Sequence, residues 1–124
     1  MNDMKKIILL VEDEDAHALL IEHSMKKYAD KYQIKRVSNI TQARDFLNKD
    51  FCDIVISDLY LSDGSGIALV DVNKPDKIPL IVMSSLDDKE KADEMLKMGA
   101  KEFIVKSSKN FRIFPEIIEK VLQS

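Results

Sequence analysis

The chain has 124 residues, 45% apolar and 33% charged, which suits one globular domain over residues 1–124 with a real core. A net charge of −3 with both signs interspersed leaves no basic stripe to grip nucleic acid. No apolar run nears the roughly 20 residues a membrane helix needs. No signal peptide precedes the first run, and the single cysteine, Cys52, suits a reducing cytoplasm as a small core filler.

Apolar runs and helical patterns alternate along the chain. Residues 6–11 form a first strand, containing Ile7-Ile8-Leu9-Leu10-Val11. Ala18, Ile21, Met25, Tyr28, Ala29 and Tyr32 then step at three- and four-residue intervals, one apolar stripe with Glu22, Lys26 and Lys27 outside it. Residues 33–37 read as a second strand, followed by a helix through Ile40, Ala43, Phe46 and Leu47 behind the candidate caps Asn39 and Thr41. The third strand covers residues 53–57 and is followed by a turn-rich stretch and a short helix over 66–72, closed by Asn73-Lys74-Pro75-Asp76. The fourth covers residues 78–83. A helix carrying Ala92, Met95, Leu96 and Met98 follows it, with Gly99 as its stop. Residues 102–105 are the fifth strand, and Phe111, Phe114, Ile117, Ile118, Val121 and Leu122 mark the last helix.

The first, third and fourth runs are almost continuous Ile, Leu and Val, the mark of parallel strands buried on both faces. Five strands alternating with five helices make a doubly wound α/β domain, and its expected strand order is 2-1-3-4-5. That order sets the first and third strands side by side and places the topological switch at their C-terminal ends, where ligands bind in open α/β sheets. There the first strand delivers Glu12 and Asp13, the third Asp58, the fourth Ser84 and Ser85, and the fifth Lys106. The second, at the sheet edge, contributes nothing obvious.

Three converging carboxylates repel one another unless a cation sits among them, and hard oxygen ligands suit Mg²⁺. A hydroxyl from Ser84 and a point charge from Lys106 add what a phosphoryl group needs. An Asp carboxylate can attack phosphorus in such a setting, because the transfer depends on positioning and charge neutralisation. Simpler readings exist for each residue alone. Acidic residues at 12–15 favour a helix N-terminus through its dipole, and Asp58 can cap the short helix after it. His17 and His23 read as surface or packing residues on the first helix, with no kinase-like pattern around them.

Five segments in order resemble the receiver domain of two-component response regulators. They are Leu9-Leu10-Val11-Glu12-Asp13, Asp53-Ile54-Val55-Ile56-Ser57-Asp58-Leu59, Asp63-Gly64-Ser65-Gly66, Pro79-Leu80-Ile81-Val82-Met83-Ser84-Ser85, and Gly99-Ala100-Lys101-Glu102-Phe103-Ile104-Val105-Lys106. The resemblance spans about residues 5 to 122 and implies a flavodoxin-like fold of the chemotaxis-regulator type. By position it makes Asp58 the phosphoacceptor. Asp13, Glu12, Asp58 and the backbone carbonyl of Tyr60 become the Mg²⁺ ligands, Ser84 the switch hydroxyl, Lys106 the phosphoryl-pairing lysine, and Phe103 the aromatic switch.

The resemblance also implies a signalling protein rather than an enzyme with a substrate of its own, located in the cytoplasm. Its donor would be a histidine kinase or histidine phosphotransfer protein, and its reader a downstream protein or attached output module. It would bind neither nucleic acid nor membrane and would be a monomer or weak dimer. Because the sequence ends after the last helix, a stand-alone regulator and the receiver portion of a longer hybrid both fit.

The chain departs from the family pattern in three places. Ser107 stands where proline usually follows the lysine, Ser62 where proline is common, and Ser85 where alanine is usual. Tyr60 and Leu86, bulkier than in fast-hydrolysing receivers, imply a long-lived phosphoryl group. The alternative from another class is a Mg²⁺-dependent phosphohydrolase with an Asp nucleophile, but its second Asp is missing because position 60 is Tyr.

Overall fold

A computed structural model describes residues 4–72 and 78–123. The Asn73–Asp76 turn expected from sequence lies outside them. The five core strands are β1 (Lys6–Val11), β2 (Tyr32–Val37), β3 (Ile54–Asp58), β6 (Leu80–Ser84) and β7 (Glu102–Val105). They form one parallel sheet in the order β2-β1-β3-β6-β7, which is the expected 2-1-3-4-5. Between β3 and β6 the chain makes a separate short antiparallel hairpin, β4 (Tyr60–Leu61) and β5 (Gly64–Ser65).

The helices are α1 (Asp15–Ser24), α2 (Ile40–Lys49), α3 (Lys89–Lys97), α4 (Ser108–Arg112) and α5 (Phe114–Gln123), with 3₁₀ turns at Lys26–Tyr28 and Gly66–Val72. Among the described residues there are five α-helices, the expected number, but differently divided. The helix after the hairpin is 3₁₀, and the final segment is two helices broken at Ile113. Pro115 accounts for the break. It has no N–H to offer the carbonyl of Phe111 four residues back, so an unbroken helix would lose that bond and clash with the ring. The first helical stripe also ends early, and Tyr32 opens β2 instead of closing the helix.

Side-chain alternation splits the core in two. Ile8, Leu10, Ile54, Ile56, Ile81, Met83 and Ile104 face α1, α4 and α5, packing on Ala18, Ile21, Phe111, Phe114 and Ile118. Leu9, Val11, Val55, Leu80 and Val82 face the other layer, with Ala43, Leu69 and Met95. Cys52 is fully buried there, and burial pushes its thiol up to about 12, so it is inert filler. Asn39 caps α2 by accepting from the Gln42 N–H at 2.8 Å, whereas Thr41 binds elsewhere. Gly99, at φ 118, stops α3 as its sequence position predicts. On α3 only Met95 is buried; Leu96 and Met98 of the expected stripe are exposed.

Candidate phosphoryl-transfer site

The C-terminal strand ends are tied together just beyond the last ladder rungs. Glu12 N–H donates to the Val37 carbonyl at 3.0 Å, Leu59 N–H to Met83 at 2.7 Å, and Lys106 N–H to Ser84 at 2.8 Å. Continuing the strand alternation puts Glu12, Asp58 and Lys106 on the α1/α5 side of the sheet.

There they meet. Lys106 Nζ lies 2.8 Å from Asp58 Oδ2 and 2.8 Å from Glu12 Oε1, with the lysine side chain 3% exposed. The Asp58 contact is a hydrogen bond. The Glu12 contact is an ion pair whose angles fall short of one. Glu12 Oε2 accepts from the Glu14 N–H at 3.1 Å. Burial pushes the Glu12 carboxyl above its ordinary range, with Lys106 pulling the other way. Burial also lowers the Lys106 ammonium, but the hydrogen bond to Asp58 and the charges of Asp58 and Glu12 outweigh it, so its net shift is upward. This lysine is a fixed cation at any physiological pH.

Asp13 completes the acidic group. Glu12, Asp13 and Asp58 each place a carboxylate oxygen within 4.8 Å of the others, two buried and one at the mouth. Three carboxylates around one ammonium leave an excess of negative charge in a partly desolvated cleft, and their donors are all hard oxygens. That set fits a divalent cation of the Mg²⁺ kind. Tyr60 lies in the hairpin between the Gly66 N–H to Leu59 carbonyl bond (2.8 Å) and the Leu61–Gly64 pair. Antiparallel ladders alternate bonded and non-bonded pairs, so the Tyr60 carbonyl falls outside the hairpin's own hydrogen bonding.

Ser84 and Phe103 belong to the opposite alternation. Ser84 sits one residue past Met83, the partner of Asp58 across the ladder, and its buried Oγ accepts from the Leu86 N–H at 3.1 Å. Phe103 is half-buried against the second core cluster. Tyr60 and Leu86 are exposed, at 58% and 63%.

Four residues of the site's surroundings are not foreseen from the sequence. Arg36, on β2, donates from Nε to the Glu12 carbonyl at 3.0 Å and pairs with Asp15 at 2.8 Å, so the edge strand does reach the site. His17 corrects a second expectation. It is more than a surface or packing residue, because its Nδ1 stands 3.1 Å from Lys106 Nζ. Asp63 accepts from the Ile40 and Thr41 N–H groups, each at 2.9 Å, and from the Thr41 hydroxyl at 2.8 Å, which ties the hairpin to α2. Gly66 has no room for a side chain, since a Cβ there would run into the Asp58 carbonyl and Ser57 Oγ. Of these four, only Asp63 and Gly66 carry a sequence signal, through the glycine-rich turn.

The loop after Lys106 is built without proline. Ser107 Oγ accepts from the Asn110 N–H at 3.1 Å and caps α4, while Asn110 Nδ2 donates to the Val105 carbonyl at 2.7 Å.

A doubly wound sheet thus carries an acidic cluster and a buried lysine at its switch point. The chain belongs to the response regulator receiver family, whose domain description matches residues 8–118. It is 26% identical over 120 residues to the methanogenesis regulatory protein FilR1 of Methanothrix harundinacea, covering 93% of this chain and 27% of that protein. To the transcriptional regulatory protein KdpE of Staphylococcus aureus it is 27% identical over 124 residues, covering 98% and 53%. The chain therefore spans about a quarter and about half of these relatives. Among solved structures it resembles the Mn²⁺-bound response regulator Rcp1, with TM-score 0.80 at 21% identity, covering 96% of each chain. Receiver domains are signalling domains. Among the described residues, no helix is long and apolar enough to cross a membrane.

Proposed function

We propose that this chain is a phosphoacceptor switch: Asp58 takes a phosphoryl group from a phosphohistidine on a kinase or phosphotransfer protein. The observation that carries this reading is the 2.8 Å pairing of a nearly buried Asp58 with Lys106 beside two further carboxylates. An Asp58 oxygen attacks phosphorus as the bond from phosphorus to the donor imidazole nitrogen breaks, and the imidazole leaves with the electron pair. Lys106 is already placed to pair with the incoming oxygens. Glu12, Asp13, Asp58 and the Tyr60 carbonyl are the groups that would hold Mg²⁺. Bound there, the ion neutralises charge on the phosphoryl oxygens. The structure of Rcp1, a response regulator of the same fold, is a Mn²⁺-bound form, which supports a divalent ion in this reading.

Ser84, one residue beyond the rung opposite Asp58, is the hydroxyl that bonds the phosphoryl group, and Phe103 on the neighbouring strand reports it to the outer face. The signal is then a population shift read by a partner or an attached output module. The chain acts in the cytoplasm as a monomer or weak dimer. It catalyses only its own phosphorylation and dephosphorylation, over residues 1–124 as one domain. Tyr60 and Leu86 at the mouth slow attack by water and lengthen the life of the adduct.

The test is incubation with Mg²⁺ and acetyl phosphate, with intact mass as readout. The expected result is one acid-labile phosphoryl group on wild type and none on Asp58→Asn. An unchanged adduct in that variant would sink the assignment.

A further inference from the structure

The Lys106 ammonium carries three protons and has three acceptors around it: Asp58 Oδ2, Glu12 Oε1 and His17 Nδ1. Two of these contacts are directional hydrogen bonds, to Asp58 at 2.8 Å and to His17 at 3.1 Å, while Glu12 is held by charge alone. An ammonium has no lone pair, so His17 Nδ1 must accept. That contact requires the tautomer with the ring proton on Nε2, and the same Nδ1 stands 3.9 Å from Glu12 Oε1 and 3.6 Å from Glu14 Oε2.

The ring itself is held in place. Its centroid lies 6.3 Å from that of Phe111, which stacks on Phe114 at 6.4 Å. Phe111 belongs to α4, the helix that starts just past Lys106. The contact thus links α1 to the segment that carries the lysine.

A ring nitrogen does something a third carboxylate would not. Glu12 and Asp58 compete for the ammonium at equal distance, and the phosphoryl group that forms on Asp58 brings further negative oxygens for it to pair with. Glu12 draws the ammonium away from the reacting group and the Asp58 side draws it back. His17 fixes the direction of Nζ without adding to that pull.

We propose that His17 is a positioning residue of the site, holding Lys106 on Asp58 through its Nδ1. The proposal rests on the phosphoacceptor reading of Asp58.

Two variants and one spectrum test it. His17→Phe keeps a ring against Phe111 but removes the acceptor, whereas His17→Asn puts an oxygen near the position of Nδ1. With Mg²⁺ and acetyl phosphate, His17→Phe is expected to phosphorylate about fivefold more slowly, roughly the loss of one modest interaction. His17→Asn should recover most of that rate, and both variants should keep the thermal midpoint of wild type within a few degrees. In ¹⁵N NMR of wild type at neutral pH, His17 should show the Nε2–H tautomer alone. Wild-type rate in His17→Phe, an equal loss in both variants, or a mixed tautomer would overturn the proposal. If wild type takes up no phosphoryl group, the functional reading falls, and the Lys106–His17 contact is then decided by the spectrum.

Discussion

Arg36 Nε donates to the backbone carbonyl of Glu12 at 3.0 Å while its guanidinium pairs with Asp15 at 2.8 Å, so one side chain clamps both ends of the loop that carries the acidic pair. The Glu12 N–H bond to Val37 holds the same loop from the same edge strand. Arg36 is thus part of the support for the carboxylates proposed to hold Mg²⁺ rather than an edge-strand surface charge. Lysine cannot serve both partners at once, because it lacks the planar fork.

Replacing Arg36 with Met should therefore weaken Mg²⁺ binding by several-fold, the effect of losing about 1 kcal/mol of loop order. Arg36→Lys should recover little. Calorimetric or NMR titration with Mg²⁺ measures this directly. Unaltered affinity in both variants would show that the loop holds its shape without the clamp.

Gly66, at the end of the hairpin, passes tightly against β3. A Cβ would meet the Asp58 carbonyl and Ser57 Oγ, both belonging to a buried strand that cannot give way. Gly66→Ala should cost about 1–3 kcal/mol, the usual range for overpacking. The loss should appear as a lower urea midpoint at unchanged slope. Phosphorylation should suffer as well, because the displaced atoms include the Asp58 main chain.

Asp63 gives a pH signature. Its hydrogen bonds from the Ile40 and Thr41 N–H groups and from the Thr41 hydroxyl hold the carboxyl below its ordinary 3.8. A carboxyl with a lowered folded pKa contributes stability above its unfolded value and loses it as pH falls through the folded one. The tie between the hairpin and α2 should thus be intact above 3.8 and fail only at more acid pH. The Ile40 and Thr41 amide protons should shift together with a midpoint below 3.8, and Asp63→Asn should abolish that step.

The framework is legible in the sequence because its signals are strong and local. Continuous Ile, Leu and Val in β1, β3 and β6 announce strands buried on both faces, and these strands fix the switch point where Glu12, Asp13, Asp58 and Lys106 meet. The contacts that stay hidden depend on reach across the chain. Arg36 and Glu12 are 24 residues apart, and His17 and Lys106 are 89 apart. No periodicity links such pairs, because a long side chain at a strand end reads as ordinary surface. The last helix departs from expectation for a local reason. Its apolar spacing runs through Ile113, and the missing amide of Pro115 outweighs it.

Ser107 answers how Lys106 is held without proline. The serine leaves the strand in extended backbone, φ −155 and ψ 159, and its Oγ caps α4, whose next turn is tied back to β7 by the Asn110 bond to Val105. The cap and the amide together form a small closed brace around the lysine, doing by hydrogen bonds what a ring would do by covalent stiffness. Ser107→Ala removes the cap and should cost about 1 kcal/mol, with Ser107→Asp close to neutral because it caps equally well. A general loss of stability would speed amide exchange everywhere, so the informative pattern is local. Exchange should rise at Asn110 and Phe111, whose N–H groups bond Ser107 Oγ and the Ser107 carbonyl, and should stay unchanged in β1 and β3. If exchange at these two amides is unaltered in Ser107→Ala, Asn110 alone holds the turn, and Asn110→Ala should then reproduce the predicted loosening.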